Sequence, residues 1–147
     1  MVGDHTTASM VVSLEPERTV VWTTGTSLPC VSLFKPWLFR GEAVLPVIYP
    51  ENKQSETYWL EAEKFRRSLL GKRLPKEFYT QRDEIQQRWL QQAAQTAHDD
   101  FPAFSRACLE EEAAFYHKWS NCVLSPVSCG AGFRKRWAKK NQALFGE

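Results

Sequence analysis

Thiols and imidazoles are the groups in this sequence most able to do chemistry: Cys30, Cys108, Cys122 and Cys129, with His5, His98 and His117. A cysteine becomes a nucleophile when a neighbouring base takes its proton, yet no cysteine here has a histidine adjacent in sequence, so folding would have to bring such a pair together. His98 precedes Asp99 and Asp100, a ligand-like trio, but the same residue types are used to cap and bound helices. His117 falls beside a helical core stripe, where a structural role is expected. No CxxC pair, GxSxG, HExxH or phosphate-binding loop is present, so neither a metal nor a cofactor is expected. Hydroxyl groups are the second resource. Thr23-Thr24-Gly25-Thr26-Ser27 follows the run Arg18-Thr19-Val20-Val21-Trp22, placing hydroxyls and one residue without a Cβ at a strand end. Thr24, Gly25 and Thr26 are therefore candidates for the edge of a substrate pocket.

The elements that must hold these groups fall into two parts. Residues 6–14 and 19–24 form two strand candidates joined by Glu15-Pro16-Glu17-Arg18, the pattern of a hairpin. Met10-Val11-Val12 and Val20-Val21-Trp22 are consecutive apolar residues, as in strands covered on both faces. Further extended runs are Val31 to Phe34 and Val44 to Tyr49, but Pro36, Pro46 and Pro50 argue against central places in a sheet. A hairpin alone is marginal in water, so the rest of its sheet is expected in a segment outside this chain, which then reads as a fragment of a longer protein. After Pro50 the spacing turns helical, with helices predicted over 55–70, from Pro75 to His98, and over 102–119; Glu110-Glu111-Glu112 is expected to face solvent. A loop from Ser120 to Gly132 leads to a basic helix beginning at Phe133. The predicted class is α+β in a single domain of 1–147, with a strand-rich part at 1–50, a helical layer at 51–119 and a loop and basic helix at 120–147.

Composition bounds the remaining possibilities. Of the 147 residues 43% are hydrophobic and 24% charged, ordinary for a globular chain, and six Trp promise bulky packing. A net charge of +2 does not make a nucleic-acid partner expected, because phosphate-driven binding needs a concentrated basic face. Only Arg134, Lys135, Arg136, Lys139 and Lys140 are so concentrated, and a solvated terminal helix accounts for them. No apolar run has the roughly 20 residues of a membrane span. With four cysteines lacking a pairing pattern and no Asn-x-Ser/Thr acceptor, a reduced, cytoplasmic protein is expected.

One resemblance adds to this. His5-Thr6-Thr7-Ala8-Ser9-Met10-Val11-Val12, followed by Trp22-Thr23-Thr24-Gly25-Thr26-Ser27-Leu28-Pro29-Cys30 and Val31-Ser32-Leu33-Phe34-Lys35-Pro36, resembles the C-terminal part of the secernin and dipeptidase A family of cysteine peptidases. The resemblance implies strands of a four-layer αββα N-terminal-nucleophile hydrolase core covered by three to four helices. It implies a dipeptidase or amide hydrolase acting on a peptide or small amide substrate, with His5 joining Thr24, Gly25 and Thr26 near the pocket. Such enzymes use a cysteine whose own α-amino group is the base. This chain begins Met1-Val2-Gly3, so the nucleophile is expected in an absent N-terminal half or an oligomer partner, leaving the chain inactive alone. Cys30 is internal and cannot supply that base. The competing expectation is a non-catalytic helical module that binds a partner through its basic tail.

Overall fold

The computed structural model describes residues 6, 8–16, 18–39 and 51–146. His5 and the extended run expected at Val44 to Tyr49 lie outside the described residues. The hairpin forms as strands β1 (Met10–Glu15) and β2 (Arg18–Thr23), antiparallel with Val12 opposite Val21 and Glu15 opposite Arg18. The chain then passes through the Thr24 to Ser27 turn and a 3-10 turn at Pro29–Val31 into β3 (Lys35–Leu38), which pairs with β2 so that Trp22 faces Pro36. Among the described residues the order β1-β2-β3 puts Pro36 on an edge strand, where its missing N–H costs no ladder bond. The third strand thus begins after Phe34, not at Val31, because Pro29 starts a helical turn there instead.

Four helices follow among the described residues. α1 (Lys53–Ser68) starts two residues before the expected Ser55, because Asn52 is the cap: its Oδ1 accepts from the Gln54 and Ser55 amides, each at 3.0 Å, and Ser55 Oγ answers the Asn52 amide. Gly71, at φ +73°, turns the chain out of α1, and its carbonyl accepts from the Val127 amide at 2.7 Å. That bond lies beside a two-stranded ladder of β4 (Lys72–Arg73) and β5 (Ser125–Pro126) inside the region expected to be loop. α2 (Lys76–Gln95) stops before His98, since Thr96 is already extended, and α3 (Phe101–Ser120) follows after a turn. α4 (Ala131–Phe145) closes the described chain.

α3 is the hub, packing against β3, α1 and α2. Its stripe of Phe101, Cys108, Phe115 and Trp119 meets Val20 and Trp22 of β2, Phe65 of α1, and Phe78, Ile85 and Trp89 of α2. Phe78 is fully enclosed between the rings of Phe115 and Trp119, at 5.0 and 5.3 Å between centroids. The protein is therefore α+β, a three-stranded antiparallel sheet with a helical layer. α4 is tied to α1 through Arg67, whose guanidinium lies 5.4 Å from the Trp137 ring and donates to the Lys140 carbonyl.

Candidate functional site

Where β3, α1 and α3 meet, charged side chains are buried together. Glu112 of α3 is fully enclosed and accepts from three donors: Lys35 Nζ at 2.7 Å and the Tyr116 hydroxyl at 2.7 Å, both on Oε1, and the Tyr58 hydroxyl on Oε2. Lys35 makes two further bonds, to the carbonyls of Thr24 and of Leu33, so all three of its N–H groups are used. Arg66, also fully enclosed, donates from Nε to Ser32 Oγ at 3.1 Å and from Nη2 to the Tyr116 hydroxyl, which leaves Nη1 without a hydrogen-bond partner. Ser32 in turn donates to the Leu28 carbonyl at 3.0 Å. Leu28 sits at φ 54°, a left-handed conformation uncommon for leucine, held by this bond and by the packing of its side chain on the core. A second buried carboxylate, Glu63, accepts from Ser27 Oγ and pairs with Arg67 at 2.7 Å.

The electrostatics follow from enclosure. Burial lowers the Lys35 pKa from its ordinary value, opposed by the attraction of Glu112. Burial, reinforced by the Glu112 charge, raises both Tyr58 and Tyr116 well above the usual phenol range, so both remain neutral hydroxyls that donate. Burial likewise pushes the Cys108 thiol up to about 12, which keeps it out of nucleophilic chemistry at neutral pH. Removing either member of a buried ion pair strands its partner in a low-dielectric interior, so this network fixes geometry strongly.

The residues singled out from sequence take distinct places. Thr24 and Thr26 are fully enclosed, and each hydroxyl donates to the other's carbonyl, at 3.2 and 3.1 Å. The Ser9 amide also bonds Thr24 Oγ1 at 3.0 Å. Their hydroxyls are thus spent on shaping the turn, which aims the Thr24 carbonyl at Lys35. Gly25, at φ 61°, is the member of the trio that is partly exposed. Cys30 and Cys122 are exposed, Cys108 is buried, and His98 and His117 lie on the surface. Among the described residues no group of three or more His, Cys, Asp or Glu side chains could hold a metal ion, and no helix is long and apolar enough to cross a membrane.

Sequence reasoning missed the centre of the network. Glu112 was expected in solvent with Glu110 and Glu111; instead Glu110 is exposed, Glu111 half-buried and Glu112 enclosed. Its phase was the available signal: 108, 112, 115 and 119 follow helical spacing, placing a carboxylate on the stripe of Cys108, Phe115 and Trp119. Tyr58, Ala62, Phe65 and Leu69 mark the core stripe of α1 in the same way, with Arg66 at its border. A charged residue in phase with a core stripe calls for a buried partner, and Lys35, flanked by Phe34 and Pro36, supplies it. No protein-family model, curated protein or solved structure matches the chain.

Proposed function

We propose that this chain is the C-terminal part of a secernin-like dipeptidase or amide hydrolase, and that its sheet is completed by a complementary thiol-bearing segment. The observation that carries the proposal is β1. Its residues are exposed along their whole length, with Met10 63%, Val12 40% and Leu14 80% exposed on one face and Val11 56% on the other, while β2 beside it is closed. Apolar residues on both faces of an edge strand call for covering layers and a further strand, which is what an αββα core supplies. The motif segments that carry the resemblance also bond to one another: the Ser9 amide donates to Thr24 Oγ1, and Lys35 donates to the Thr24 carbonyl. That makes their order and spacing a requirement of one buried cluster.

In this reading the chain supplies the Thr24 to Ser27 turn at the pocket edge, where Gly25 offers backbone and Thr24 and Thr26 shape the turn. The thiol comes from the complementary segment, because the chemistry needs a cysteine beside a free α-amino group, whereas Cys30, Cys108, Cys122 and Cys129 are internal and Cys108 is sealed. The test is dipeptide hydrolysis by the purified chain, alone and mixed with the N-terminal part of a secernin-type hydrolase, with and without iodoacetamide. Thiol-sensitive turnover is expected from the mixture alone. Thiol-sensitive turnover by the isolated chain would overturn the proposal.

A further inference from the structure

A cleft of about 630 Å3 opens between α1 and α3, within the range of small-molecule sites. Ala62, Phe65 and Ala113 wall it, Tyr58, Glu112 and Tyr116 also line it, and Glu61 and Lys64 stand among its polar surroundings. The hydrogen bonds already made decide what it can accept. Tyr58 donates its one proton to Glu112, and Tyr116 does the same. What Tyr58 still offers is therefore lone pairs, while the Tyr116 oxygen already accepts from Arg66. A ligand reaching these hydroxyls must bring a donor of its own. An ammonium gains little there, since Glu112 is already paired with Lys35 and Lys64 stands in the lining, and an anion meets Glu112 within and Glu61 beside it.

We infer that this cleft binds a neutral aromatic small molecule of the phenol or indole kind, with its ring against Phe65 and the two alanines and its single O–H or N–H donating to the Tyr58 hydroxyl oxygen. The site stands on the helical layer and is independent of the hydrolase reading. Ring burial supplies the attraction, and the one donor sets the orientation.

Three single-ring probes test it: p-cresol, toluene and protonated benzylamine, titrated while the Ala62 and Ala113 methyl signals are followed by NMR. Saturable p-cresol binding is expected, about fivefold to tenfold tighter than toluene, as one hydrogen bond gives, with benzylamine weakest. Ala113→Leu, at an exposed position, narrows the cleft without touching the core and should abolish the p-cresol shifts. Tyr58→Phe should reduce p-cresol to the affinity of toluene, and toluene binding in that variant shows that the cleft has survived. Absence of saturable binding overturns the inference. So does equal affinity for p-cresol and toluene in the unmodified chain, p-cresol binding unaffected by Ala113→Leu, or a preference for benzylamine.

Discussion

Val12 and Val21 face each other across the β1–β2 ladder, yet Val12 is 40% exposed and Val21 3%. The side chains are identical and the strands have the same length and similar apolar content. What differs is the cover that the rest of the chain provides. β2 lies between two strands and beside the helical layer that α3 organises, so every side chain from Val20 to Thr23 is buried. β1 has a neighbour on one edge among the described residues, and its residues are exposed along their whole length. The comparison separates a covered side of the molecule, anchored by the Lys35–Glu112 pair, from an open one along Met10 to Glu15. Apolar character alone is thus no record of burial in this chain; it records what each strand is able to bury.

The largest effect should come from the covered side. Glu112→Ala strands Lys35 in the interior and removes the acceptor of two tyrosines, so a loss of about 3–5 kcal/mol is expected in urea denaturation. Replacing both partners, Lys35→Met with Glu112→Leu, should recover part of that loss, because the stranded Lys35 charge is gone while Tyr58 and Tyr116 still lack their acceptor. A double variant as unstable as the single one would mean that the pair does more than neutralise itself.

The Val12 and Val21 pair sharpens the contrast directly. Val21→Ala should cost about 2 kcal/mol, the worth of a buried valine side chain, while Val12→Ala should stay within about 0.5 kcal/mol, as for an open surface position. Similar losses at both positions would show that β1 is covered in solution.

Alkaline pH probes the sealing of α3. The Cys108 thiol is raised from 9.0 to about 12 by burial, so the folded chain holds this proton where the unfolded chain releases it. Its contribution is fully present below pH 9 and is lost as pH rises from there towards 12, at a slope of up to about 1.4 kcal/mol per pH unit. The raised Tyr58 and Tyr116 act in the same direction above pH 10, and the lowered Lys35 acts against them. Urea midpoints at pH 8 and 10.5 should therefore fall less in Cys108→Ala than in the unmodified chain; equal falls would show that the thiol is open to solvent.

A smaller effect than at Glu112 or Val21 belongs to the turn. Thr26→Val deletes one hydroxyl bond and Thr24→Val two, the second from the Ser9 amide, and each variant should cost about 1 kcal/mol. A change below the error of the measurement at both sites would release these hydroxyls from their structural assignment.

Much of the scaffold was legible. Periodicity located the hairpin and all four helices, and their ends moved by a few residues wherever a local device intervened: the Asn52–Ser55 capping box drew α1 back, and extended Thr96 ended α2 early. β3 was misplaced because Pro29 favours a helical turn, while Pro36 is tolerated on an edge. The buried charge network was hidden for a different reason. Glu112 belongs to a run of three glutamates, and its partners Lys35, Tyr58 and Tyr116 lie 77, 54 and 4 residues away in sequence. Only its helical phase distinguished it from its neighbours, and the pairing itself arises from tertiary packing.

Hydrogen exchange along β1, with and without the complementary hydrolase segment, tests the central claim most directly. Those β1 amides that do not bond to β2 should exchange rapidly in the isolated chain and slow markedly when the segment is added, while β2 changes little. Unchanged exchange from Met10 to Glu15 in the mixture, or strong protection of β1 in the isolated chain, would contradict the account.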